Sequence, residues 1–162
     1  MKNMSNIKKL LELLKKHNIT LSSAESFTGG LFGKKITDIP GSSQVYKGGV
    51  ICYWTEVKEK ILLVDKSIID KFGVVSEEVA FNLALNCKKM FETDVAVSFT
   101  GNAGPTKCDE FSNVGDCYIG IDFLGKVEVM SCKLKGKTRI SIRNYAIEIV
   151  VNKLIELIDG KF

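Results

Sequence analysis

A chain of 162 residues, 45% hydrophobic and 26% charged, suits one globular domain (1–162) with a core of its own. Its 23 basic residues exceed its 19 acidic ones by a mild +4, spread along the chain, so charge gives no support for a nucleic-acid partner. No apolar run is long enough for a signal peptide or a membrane span, and five cysteines with no Cys-x-x-Cys pair and one histidine make neither a zinc set nor a disulfide framework. The expectation is a cytoplasmic protein in a reducing compartment, without metal and away from membranes.

Taken in order, Ser5 caps a first helix through about His17, with Ile7, Leu10, Leu11 and Leu14 on one face and Lys8, Lys9, Lys15 and Lys16 solvated. Thr20 to Ser23 reads as a strand, and a helix from Leu31 to about Asp38 follows the turn between them. Ile39-Pro40-Gly41-Ser42-Ser43 breaks the chain. Tyr46 to Trp54 reads as a covered strand, apolar towards its end. Thr55 then caps a helix to Leu63, Ser67 a short helix ending near Gly73, and Ser76 a long helix to Phe91. On that last helix Val79, Ala80, Leu83, Cys87 and Met90 are expected inside. Asp94 to Phe99 is a buried strand that runs into the glycine loop Thr100 to Pro105 and a polar loop to Asn113. Val114–Phe123 and Lys126–Leu134 form a hairpin about Leu124-Gly125. Thr138 opens a final helix to about Ile158, with Ile142, Tyr145, Ile149 and Val150 facing in. Helices alternating with strands up to a terminal hairpin predict an α/β fold, a three-layer α/β/α sandwich with a mixed, mainly parallel central sheet.

The chemistry centres on Ala24-Glu25-Ser26-Phe27-Thr28-Gly29-Gly30, a hydroxyl followed by Thr-Gly-Gly between strand and helix. Glycines let the backbone approach a ligand, and free amides at a helix start favour an anion or a developing oxyanion. Ser26 would stand at a strand's carboxyl end, where open α/β sheets bind ligands. A plain turn with a helix cap answers the same pattern. A serine needs a base, and the lone His17, set in a lysine-rich helix, does not suit the part. Lys58 does, because the first turn of a helix capped by Thr55, together with burial beside Tyr53 and Trp54, would lower its pKa. Tyr53 could relay the proton. The bland alternative makes Lys58 a surface lysine pairing with Glu56 or Glu59. The loop Thr100-Gly101-Asn102-Ala103-Gly104 offers further amides for a phosphate or amide oxygen but lacks a Walker ending. Arg139 and Arg143, one helical turn apart, could grip a phosphate or simply face solvent. Cys52 and Cys87 look like core thiols, and Cys108 is the exposed one.

These stretches together, with Thr37 to Ser43, Gly48-Gly49-Val50, Glu56-Val57-Lys58, Gly73 to Ala80 and Val114-Gly115, resemble the C-terminal domain of the CinA family, the nicotinamide-nucleotide amidohydrolases. The resemblance runs from about Ile19 onward and to the stand-alone form of that domain. It implies deamidation of nicotinamide mononucleotide with Ser26 as nucleophile, Lys58 as base and Tyr53 as assisting hydroxyl, and no cofactor. Thr28, Gly29, Gly30, the Thr100 to Gly104 loop, Arg139 and Arg143 would bind the nucleotide, a small-molecule partner. Phe27 stands where the family often has cysteine, Asn102 where an apolar residue is usual. Thr106 to Asp116 lacks the family's Thr-Gly-Gly and Lys-Pro-Val-Gly-Thr, which leaves a catalytically silent pyridine-nucleotide-binding module as the alternative. A homo-oligomer, a dimer, is expected because a hairpin edge needs covering.

Overall fold

The computed structural model describes residues 2–134 and 138–162. The described residues form α1 (Lys2–Lys16), β1 (Leu21–Glu25), α2 (Leu31–Thr37), β2 (Tyr46–Ile51), α3 (Thr55–Lys60), α4 (Lys66–Phe72), α5 (Glu77–Phe91), β3 (Val95–Gly101), β4 (Asp116–Phe123), β5 (Lys126–Lys133) and α6 (Arg139–Lys161). Sheet order is β2-β1-β3-β4-β5. β1 is parallel to β2 and β3, while β4 is antiparallel to both β3 and β5. This is the expected α/β sandwich: a mixed sheet between two helical layers, with β1 at the middle of its parallel half.

Alternation along the strands decides which layer each residue meets. Leu21, Val95, Val97, Phe99, Ile119 and Ile121 face Leu10, Leu11 and Leu14 of α1, Phe32 and Ile36 of α2, and Ile142, Val150 and Leu154 of α6. Each such leucine, removed from water, contributes roughly 2 kcal/mol. Ala24 and Ala96 face the other way, towards Val79, Leu83 and Cys87 of α5. Small residues on that face let α5 sit close: Ser98 Oγ donates to Ala80 O at 2.6 Å, and a Cβ at Gly120 would strike the same carbonyl. No described helix is long and apolar enough to cross a membrane.

Several local expectations change. Helix α1 begins at Lys2, with Ser5 inside it rather than capping it. β2 stops at Ile51 and is an edge strand of alternating burial, not a covered one; Ile51 is exposed on it and Trp54 beyond its end. The N-cap of α3 is Trp54, one residue before Thr55, and its side chain makes no cap bond. The cap of α4 is Asp65, whose carboxylate accepts from the amide of Ser67 at 2.8 Å. Ser76 and Thr138 do cap α5 and α6. Met90 and Tyr145 are exposed, because each lies off the helical stripe its neighbours define. β4 starts at Asp116, two residues after Val114. His17 is half-buried and stacks on Phe162, ring centroids 4.2 Å apart.

Candidate active site

Parallel pairing puts the carboxyl ends of β1, β2 and β3 at one edge, with Glu25 in register with Ile51 and Phe99. The residues that follow, Ser26, Cys52-Tyr53 and Thr100-Gly101, therefore converge although they lie far apart in the chain. Ser26 donates its amide to Phe99 O at 2.9 Å, which extends the ladder one residue past β1. Gly29 and Gly30 then take positive φ, 60° and 98°, turning the chain into α2.

The turn is held from below by Glu25. This carboxylate is 3% exposed; Oε1 accepts from Thr28 Oγ1 and from the Phe32 amide, both at 2.8 Å, and Oε2 from the Gly33 amide at 3.1 Å. A negative charge thus meets the open N-terminal amides of α2. Sequence reasoning included Glu25 in the stretch but missed this task.

Lys58 is 2% exposed and its Nζ lies 2.9 Å from Ser26 Oγ. The amine also donates to Cys52 O at 2.7 Å and, over a longer 3.4 Å, to Tyr53 O. Desolvation by burial holds its pKa below the ordinary lysine value, with the thiols of Cys52 and Cys108 pulling weakly the other way. Among the described residues it pairs with no carboxylate; Glu56 bridges to Lys60 instead. Two carbonyls that accept its N–H groups leave the lone pair of a neutral amine directed at the serine hydroxyl. That arrangement can remove a proton from Ser26.

Ser26 and Lys58 open into a cavity of about 630 Å³. Its walls are Phe27, the segment Tyr53 to Glu56, Val74-Val75, Thr100 to Gly104, Thr106 to Cys108, and Arg139. Thr100, Gly101, Asn102, Ala103, Gly104 and Arg139 thus line it. Thr28, Gly29, Gly30 and Arg143 do not line it. Thr28 is fully buried on Glu25, and Arg143 donates to Thr28 O at 2.8 Å, so this arginine supports the turn from behind. The Tyr53 hydroxyl accepts from Arg139 at 2.9 Å, and Arg139 also donates to Gly104 O at 2.7 Å. What Tyr53 gives Lys58 is its carbonyl, not its hydroxyl. Phe27 and Ala103 are among the lining residues whose amides bond no acceptor among the described residues, and such amides can donate to an oxyanion. Trp54, Val74, Val75, Lys107 and Cys108 are wall residues that sequence reasoning did not assign. Among the described residues no three of His, Cys, Asp and Glu gather as a metal set.

A three-layer α/β domain with a buried lysine on a serine at its parallel strand ends is the class of protein that this chain defines. It matches the family model described as the CinA C-terminal domain over residues 3–158. The chain belongs to the CinA family. It is 40% identical over 155 residues to a competence-damage inducible protein of Bacillus subtilis, spanning 96% of this chain and 37% of that one. A relative of the same name from Geobacillus is 43% identical over 157 residues, 94% of this chain and 38% of its own. The chain therefore spans under two-fifths of these relatives' length. Among solved structures, the competence/damage inducible protein of Agrobacterium tumefaciens aligns at a TM-score of 0.92 and 26% identity, over 97% of this chain and 96% of its own. A CinA superfamily protein from Klebsiella pneumoniae shares the fold, with a TM-score of 0.94 at 20% identity over 99% of both chains.

Proposed function

We propose that the protein hydrolyses the carboxamide of nicotinamide mononucleotide to nicotinic acid mononucleotide and ammonia. The observation that carries this reading is the 2.9 Å approach of a buried, charge-disfavoured Lys58 amine to Ser26 Oγ. Lys58 takes the hydroxyl proton as Ser26 attacks the carboxamide carbon, and the negative charge moves onto the carboxamide oxygen. Amides of Phe27 and Ala103 meet that oxygen, a contact worth about 3 kcal/mol for each good donor. The Lys58 ammonium returns its proton to the departing nitrogen, which leaves as ammonia. Water, activated by the same amine, then cleaves the acyl-serine. Arg139 and the exposed Lys107 put positive charge at the cavity wall, which suits the phosphate.

Ammonia release from the nucleotide by pure protein tests this. Ser26→Ala is expected to reduce it on the order of 10³-fold or more. Undiminished turnover by that variant would remove the serine from the reaction. Nucleotide binding by the wild type without ammonia would mark a silent nucleotide-binding module instead.

A further inference from the structure

Cys117 of β4 and Cys132 of β5 are direct partners in the antiparallel register. Two residues on from them, the Leu134 amide donates to Gly115 O at 2.9 Å, so the cysteines too form a hydrogen-bonded pair. Such a pair sets its Cα atoms about 5.5 Å apart, inside the range of about 4.4 to 6.8 Å that a disulfide spans. Opposite residues project from one face of a sheet. Here both side chains pack on the core beneath α1 and α6, Cys117 fully buried and Cys132 half-buried. The two sulfurs interact. The Cys117 thiol donates to the Cys132 sulfur, which lowers the pKa of Cys132 against the opposing pull of burial and raises that of Cys117.

Cys132 therefore has the access and thiolate character that thiol exchange needs, with a second thiol held beside it. The other cysteines lack this combination. Cys52 and Cys87 are 0% exposed, and the exposed Cys108 has Ser112 Oγ at 3.4 Å for a neighbour. We propose that Cys117 and Cys132 are a reversible redox pair that a small-molecule disulfide closes, Cys132 reacting first and Cys117 completing the bond. The Cys132 thiolate attacks one sulfur of the small disulfide and expels a thiolate, which takes up the proton. Cys117 then attacks the Cys132 sulfur of this mixed disulfide, gives its proton to water and expels the second small thiol. The two cysteines are oxidised, and the small disulfide is reduced to two thiols. A hydrogen-bonded pair holds its side chains farther apart than the alternate kind, so the bond is strained and readily reopened. It lies next to the cavity wall, since Cys117 pairs with Gly101 across β3–β4.

The folded chain carrying Cys108→Ser, which removes the exposed thiol, is equilibrated across ratios of oxidised to reduced glutathione. Intact mass, thiol count and peptide mapping are read. Loss of two thiols is expected, with a mass lower by two hydrogens, one crosslink joining Cys117 to Cys132, and full return in reduced glutathione. Cys117→Ala in the same background should stop at a glutathione adduct on Cys132, and Cys132→Ser should leave Cys117 reduced. If Cys117→Ala does not fold, the crosslink map and Cys132→Ser decide. A lasting adduct on Cys132 with Cys117 present would overturn the proposal, as would a crosslink between any other pair. So would a folded chain that keeps all its thiols while the unfolded chain oxidises, a bond that reduced glutathione leaves closed, or ready modification of Cys117 in Cys132→Ser. None of these readings involves turnover, so the pair stands or falls apart from the hydrolase.

Discussion

Lys58 carries its amine on two backbone carbonyls and a hydroxyl, 2% exposed, with no carboxylate bonded to it among the described residues. Burial without a counter-charge disfavours the ammonium, so kcat/KM should rise with pH to a plateau, with the inflection below the ordinary lysine value of about 10.4. Lys58→Arg should be inactive across that range, since a guanidinium keeps its proton. Stability follows the same proton. The unfolded chain binds it up to a higher pH than the folded one, so between the lowered folded pKa and the unfolded value stability gains from rising pH. Urea unfolding of wild type against Lys58→Met should show the wild type gaining on the variant as pH climbs from 7 towards 10. A constant difference would mean that the amine titrates normally. Sequence reasoning paired Lys58 with Ser26 as its base, with surface pairing to Glu56 or Glu59 as the rival for the lysine. The sequence separation of 32 is closed by the β1–β2 ladder and the turn into α3, which no local pattern reports.

One scale up, the turn that presents Ser26 depends on how α2 begins. This seven-residue helix has Gly30 at its N-cap with no side-chain cap bond, and the missing acceptor is Glu25, from inside the preceding strand. Glu25→Ala would strand three donors, two of them in or beside the nucleophile turn. Unfolding in denaturant should show a loss of about 3 kcal/mol, the range for breaking a buried charged network, together with a fall in kcat as Ser26 loses its support. Glu25→Gln should lose less, because it keeps one acceptor oxygen. A variant as stable as wild type would mean water replaces the carboxylate. Caps that follow the local rule were legible: Ser76 and Thr138 each accept from the amide three residues on. Glu25 was not, because its acceptor reaches seven and eight residues forward, outside any capping window. β2 was misread as covered for a related reason. Its apolar run continues past Ile51, but an edge strand parallel to one neighbour leaves alternate residues in water, and only the sheet order says which strand is the edge.

Across the whole molecule, one helix fastens the three segments that make the site. The first turns of α6 send Arg139 to Gly104 O and to the Tyr53 hydroxyl, and Arg143 to Thr28 O. The chain thereby links the β3–β4 loop, the β2–α3 corner and the Ser26 turn, contacts separated by 35, 86 and 115 residues in sequence. The spacing of the two arginines was legible and suggested a joint grip on phosphate; their division into a wall residue and a rear support was not, because it depends on where α6 enters the layer. If α6 acts as a common clamp, each loss should lower kcat/KM about tenfold, near 1.4 kcal/mol. The stability loss of Arg143→Ala should be the larger, since its half-buried guanidinium is set among the residues behind the turn. The double variant decides between clamp and independent contacts. Segments held by one rigid helix lose alignment together, so the two effects on kcat/KM should fall short of additivity by more than about 0.5 kcal/mol while stability losses stay close to additive. Full additivity in kcat/KM, with Arg139→Ala changing KM alone, would instead assign Arg139 to the substrate and leave the positioning of Ser26 to Arg143 and Glu25.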